Sequence, residues 1–132
     1  MKMLQKTHQQ FAHWFLVTSI LWLIASALLV VVSTTSGWVE LSWVFWGYLL
    51  ATLVASAIAF AVFGIDKRRA VKDQWRVSEK SMHWLALFGG WPGAVIGREL
   101  FRHKTQKMAF RLLLPFFAVL HMVLIFLGFL MF

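Results

Sequence analysis

The 132-residue sequence contains no cysteine. That absence excludes a disulfide framework, thiol catalysis and any cysteine-ligated zinc site. Charge is scarce too: 14% of residues are Asp, Glu, Lys or Arg, where a soluble globular domain carries about 25%. Acidic residues are the rarest, five against thirteen Lys and Arg, which leaves a net charge of +8. No two histidines stand three or four residues apart, no HExxH pattern occurs, and no serine sits in a nucleophile elbow. Neither a metal nor a cofactor is expected. There is also no internal repeat and no low-complexity linker, so residues 1–132 read as a single membrane domain.

What the sequence does have is apolar length. It is 61% hydrophobic, where soluble domains run to about 45–50%, and it holds eight Trp and thirteen Phe. Three stretches, at about 11–32, 41–65 and 112–132, each reach the roughly 20 residues needed to cross a bilayer as a helix. The first resembles a signal peptide, with Ala25-Ser26-Ala27 as a mock cleavage site, but the apolar run continues through Val32 and it is expected to be retained. A fourth stretch, about 81–97, is too short to cross. Its centre, Phe88-Gly89-Gly90-Trp91-Pro92-Gly93, is dense in helix breakers. A turn at Gly89, Gly90, Pro92 and Gly93 is predicted, making this a re-entrant or interfacial helical hairpin.

Charge placement tests that prediction. The positive residues fall before the first span, at 67–80 and at 98–111, and 33–40 contains none. If the short segment turns back, all thirteen lie on one side, as the positive-inside rule expects. The expected fold is therefore an all-α integral membrane protein with three transmembrane helices plus the hairpin. It would lie in a bacterial cytoplasmic (inner) membrane, with a cytoplasmic N-terminus and Phe132 outside. Trp38, Trp43 and Trp46 would mark the outer interface, and Trp14, Trp75 and Trp84 the inner one. Gly47, Ala51, Ala55 and Ala59 recur at every fourth position and predict a helix-packing ridge, flanked by Thr52 and Ser56, for a neighbouring helix or a second copy of the chain. The last span, bulky with Phe116, Phe117, Phe126 and Phe129, suits lipid. His121 lies nine residues into that span and is expected to hydrogen-bond a neighbouring helix.

An ordered set of motifs runs through 63–111: Asp66-Lys67 with Ala70, Arg76 with Glu79, Gly89-Gly90 with Gly93, then Arg102-His103-Lys104-Thr105, Lys107 and Phe110. In this it resembles the domain of unknown function 1294 family of small bacterial membrane proteins. Where the family has a tyrosine two residues before the aspartate, this chain has Gly64. Some relatives carry a cold-shock domain that this sequence lacks, so the resemblance implies no nucleic-acid binding. It implies an architecture and a set of positions, and no activity.

Those positions permit three kinds of chemistry. Asp66, Arg76 and Glu79 on one loop, with Glu99, His103, Lys104 and Lys107 on the other, would form a structural ion-pair network that fixes the hairpin. The same loops, with Lys67, Arg102 and Thr105, would serve as an anion or lipid-headgroup site, and backbone amides of Gly89, Gly90 and Gly93 would add a cradle. His83 and His103 beside carboxylates would allow acid–base or metal chemistry. The leading expectation is a non-enzymatic membrane protein whose basic cytoplasmic face engages anionic lipid, a protein partner or a second copy of itself. The alternatives are a membrane enzyme on a phosphorylated or lipid substrate, and an oligomeric transporter or channel component.

Overall fold

A computed structural model describes residues 2–36 and 43–131, and among these every regular element is helical. Helix α1 spans Lys2–Ser36, α2 Trp43–Val71, α3 Glu79–Leu85, α4 Trp91–Leu100 and α5 Met108–Met131. Two of them contain stretches long and apolar enough to cross a membrane, Phe45–Val71 and Met108–Leu127, with mean hydropathy 2.2 and 2.3. In α1 (Lys2–Ser36) the described residues include the apolar stretch His13–Leu28. Trp38 and Phe132, placed at the outer side from sequence, lie outside the described residues. Trp14, Trp43, Trp75 and Trp84 are all exposed.

Helix α2 continues past Ile65, where the apolar run stops, to Val71. Asp66 is therefore a helical residue and not part of a loop. Arg68 and Arg69 occupy the last turn, where the helix dipole favours cations. A left-handed residue, Asp73, then starts the connection to α3 (φ 53°).

Residues 79–100 form a broken helix. Phe88 and Gly89 leave helical geometry between α3 and α4, and Gly89 sits at φ 109°, a region open to glycine and strained for other residues. Pro92 falls in the first turn of α4, where its missing N–H would have no helical acceptor anyway. The course of the segment follows from what it touches. A Cβ on Gly89 would meet Thr52, one on Gly93 would meet Ser56, and one on Gly97 would meet Phe63. Further on, the Phe101 ring packs on Gly64. Thus α4 descends alongside α2 in the same direction. The segment begins where the Val77 N–H reaches Asp66 and ends where His103 reaches the same carboxylate. Its tip, against Thr52, is fourteen residues up α2, about 21 Å at about 1.5 Å per residue. The chain doubles back.

The face of α2 that receives the hairpin is Thr52, Ser56, Ala59 and Phe63, all at most 3% exposed, with Ala55 beside them. Ser56 Oγ donates to the Gly89 carbonyl at 3.3 Å. Only part of the expected ridge packs within the chain. Ala55 and Ala59 pack, but Gly47 and Ala51 lie on an exposed face, and a Cβ on Gly47 would have nothing within 4 Å. Helix α1 covers the other side of α4, where Phe15 and Trp22 meet Trp91 at ring-centroid distances of 6.3 and 6.1 Å. Helix α5 closes the core with Phe110, Leu114, Phe117 and Ala118, while Phe116 and Phe126 face outward. Phe117 thus belongs to the interior and not to the outward face expected for it.

Candidate functional site

Asp66 is the point where the pieces converge. Its side chain is fully buried, and an isolated carboxylate there would be very unfavourable. It is not isolated. The Val77 N–H donates to Oδ1 at 2.9 Å, and Oδ2 takes His103 Nε2–H at 2.6 Å and Lys104 Nζ at 3.1 Å. Arg76 adds a longer contact at 3.7 Å. Because a carboxylate only accepts, the His103 proton on that side must be on Nε2.

Lys104 links this carboxylate to a second one. Its side chain is 3% exposed, and Nζ lies 3.6 Å from Glu79 Oε1, which Lys107 approaches at 3.0 Å. The ammonium also rests 3.2 Å from the Met82 sulfur and 5.3 Å from the centre of the Phe110 ring, soft partners for a buried cation. The hydrogen bond from Lys107, supported by the charge of Lys104, holds the Glu79 carboxyl below its ordinary range. Two residues of the loop that delivers these groups, Arg102 and Lys104, have left-handed backbones at φ 47° and 58°. Non-glycine residues pay roughly 1–3 kcal/mol for such conformations, so the surrounding contacts must hold the loop in place.

Above the network lies a shallow depression of about 470 Å³, lined by Arg76, Arg102, His103, Lys104, Thr105, Gln106 and Lys107. The structure thus gathers Asp66, Arg76, Glu79, His103, Lys104 and Lys107 into one network, with Arg102 and Thr105 on its rim. Lys67 points elsewhere, donating to the Phe101 carbonyl at 2.6 Å and tying that loop to α2. The glycines take no part. Gly89, Gly90 and Gly93 sit at the hairpin tip with their backbones against α2, because that helix fills the space where side chains would be. They form no anion cradle beside the basic loop. His83 stacks on Phe110 with centroids 4.1 Å apart and does not reach Asp66; its Nδ1 has no partner among the described residues. No group of three metal-ligating side chains occurs among the described residues.

One polar cluster escaped the sequence reading, and a second was foreseen only in part. Arg98, 5% exposed, donates to Glu99 Oε1 at 2.8 Å and to the Phe110 carbonyl at 3.2 Å, fastening α4 to the start of α5. It sits in a run of cations that topology alone explains, so nothing marked it. His121 donates from Nε2 to the Leu87 carbonyl at 2.7 Å, since a carbonyl can only accept, which leaves Nδ1 to take the Tyr48 hydroxyl. A hydrogen-bonded His121 was foreseeable, but partners so far apart in sequence were not.

These features define a class: a helical protein with two helices fit to cross a membrane and a broken hairpin anchored at both ends on a buried aspartate. A family model described as "Protein of unknown function (DUF1294)" matches residues 56–110, from the serine beneath Gly93 to the phenylalanine beneath Lys104. An "Uncharacterized protein YsdA" from Bacillus subtilis (strain 168) is 39% identical over 66 residues, 50% of this chain and 74% of the relative. The chain belongs to the DUF1294 family. No solved structure matches it. The Gly64 departure has a local counterpart here: the Phe101 ring lies where a larger side chain would extend, 3.0 Å from a Cβ built on Gly64.

Proposed function

We propose that this chain is a multi-pass protein of the bacterial cytoplasmic membrane whose re-entrant hairpin assembles a binding face for anionic headgroups at the inner leaflet. On this reading the N-terminus is cytoplasmic, α1 is a third crossing, and the protein does no chemistry of its own. The observation that carries it is the depression at the hairpin mouth, where four cationic side chains meet two carboxylates at the edge of the apolar surface. Membrane insertion is supported by the apolar windows of α2 and α5, each only 28% buried within the protein, whereas the core helix of a soluble protein would be mostly covered. The hairpin returns to its starting level, which keeps all the basic loops on one side, in line with the positive-inside rule.

The test is a double charge reversal at the exposed rim. Arg102→Glu with Lys107→Glu should lower the affinity of the detergent-purified protein for short-chain phosphatidylglycerol by roughly tenfold or more, at about 1 kcal/mol per cation near an anionic surface. Thermal unfolding, run in parallel, checks that the variant is folded. Unchanged affinity across a salt titration in a folded variant would sink the proposal.

One observation favours a second reading, a membrane enzyme on a phosphorylated or lipid substrate. Asp66 orients the His103 ring, which lines the depression, and a carboxylate-oriented imidazole is a usual general acid–base arrangement. Under that reading His103→Asn abolishes turnover of the phosphorylated substrate while headgroup affinity stays intact.

A further inference from the structure

The charge around the depression does not balance. Arg76, Arg102, Lys104 and Lys107 bound it, and only Asp66 and Glu79 face them. Lys104 is engaged from beneath by both carboxylates, and Lys107 takes Glu79 at 3.0 Å. Arg76 is 53% exposed and reaches Asp66 only at 3.7 Å. Arg102 is exposed and has no carboxylate partner among the described residues. Of the remaining described acids, Glu99 is bound by Arg98, and Asp73 is exposed in the turn after α2. Two positive charges are left over, and both are borne by guanidinium groups.

That surplus has a chemical match. A phosphate monoester carries about −1.5 to −2 charges near pH 7 and presents three terminal oxygens. A phosphodiester carries one charge and two such oxygens. Guanidinium groups bind phosphate oxygens in forked, paired hydrogen bonds, so two of them serve three oxygens better than two. The Thr105 hydroxyl and the Gln106 amide add neutral donors to the same wall. Resting on the anion-site reading above, we infer that the depression selects a dianionic phosphate monoester over a phosphodiester, with Arg76 and Arg102 as the selecting residues. A lipid whose headgroup is a bare phosphate and a soluble monoester share this chemistry.

Isothermal titration of the full chain in nonionic detergent, at fixed ionic strength and pH 7.5, separates the cases. The probes are dihexanoyl phosphatidate, dihexanoyl phosphatidylglycerol and inorganic phosphate. Phosphatidate should bind roughly tenfold or more tighter than phosphatidylglycerol, the effect of one additional charge-assisted pair. Arg102→Gln should remove most of that preference, whereas Lys72→Gln, which deletes the same charge from an exposed site outside the depression, should preserve it. Given that preference between the two lipids, inorganic phosphate binding as tightly as phosphatidate assigns the ligand to a soluble monoester. Given the same preference, phosphatidate binding more tightly than inorganic phosphate assigns the ligand to the membrane. Equal affinities for the two lipids overturn the inference but leave the anion site standing. Failure of all three probes to bind overturns both. A preference that survives Arg76→Gln with Arg102→Gln overturns the assignment to these residues.

Discussion

The two ends of the hairpin are held by opposite means. At the tip, glycines bring the backbone against α2, with a single hydroxyl contact from Ser56 to the Gly89 carbonyl. At the mouth, a buried aspartate collects a backbone amide, an imidazole, an ammonium and a guanidinium. The tip depends on side chains being absent, and steric fit of that kind is short-ranged and unforgiving. The mouth depends on charges being matched, so it should tolerate replacement wherever the balance is kept. The same segment is thus wedged at one end and clamped at the other.

The largest effect should come from the wedge. A Cβ on Gly93 would lie 1.8 Å from the Ser56 carbonyl oxygen and 2.5 Å from its carbon, both backbone atoms with no rotamer to yield. Gly93→Ala should unseat the hairpin and destabilise the protein by about 4 kcal/mol or more, read as loss of monodisperse protein in size-exclusion chromatography. Gly47→Ala is the matched control. Nothing lies within 4 Å of its added carbon, and alanine gains about 1 kcal/mol over glycine in a helix interior, so stability should hold or rise. Similar behaviour of the two variants would break the contrast.

At the clamp, Asp66→Asn strands Lys104 as a buried cation with only the half-exposed Glu79 left to pair with. Removing one partner of a buried pair typically destabilises by about 3–5 kcal/mol, and the remaining contact to Glu79 places the loss here at about 3 kcal/mol. Adding Lys104→Met should restore much of it, because the stranded charge disappears and an apolar chain of similar length fits beside Met82 and Phe110. The cycle is read by denaturant or thermal unfolding in detergent. Strict additivity of the two substitutions would show that Asp66 and Lys104 are not an energetic unit.

How far was this arrangement legible beforehand? A glycine–proline bend between two basic stretches sufficed to anticipate a segment that doubles back and brings 63–80 against 98–111. Asp66 stood out only as part of a family motif, since a lone acid at the end of an apolar helix has no spacing that announces a buried anchor. The hairpin uses a face of α2 rotated from the expected ridge. Stripes at 47, 51, 55, 59 and at 52, 56, 59, 63 lie about 100° apart, and periodicity cannot say which one meets the glycines. Size favoured the first, whereas the hairpin packs on the second, where Ser56 donates to Gly89. The positive φ angles of Arg102 and Lys104 were illegible, because left-handed backbone at residues other than glycine leaves no compositional trace.

The smallest effect probes how far the clamp reaches toward solvent. Glu79 is 39% exposed, and its carboxyl is held below the ordinary value of 4.5 chiefly by the Lys107 hydrogen bond. A carboxyl with a lowered folded-state pKa adds stability that is fully present above its unfolded pKa and fades as pH falls through the folded value. The Lys107–Glu79 arm should therefore contribute unchanged from pH 7 down to about 5 and be lost progressively below about 4.5. Exposed pairs of this kind are worth about 0.2–1 kcal/mol. Glu79→Gln should thus flatten part of the acid limb of a pH–stability curve measured by thermal unfolding. If wild type and Glu79→Gln lose stability in parallel between pH 5 and pH 3, the outer arm is decorative. The clamp then ends at the buried pair of Asp66 and Lys104.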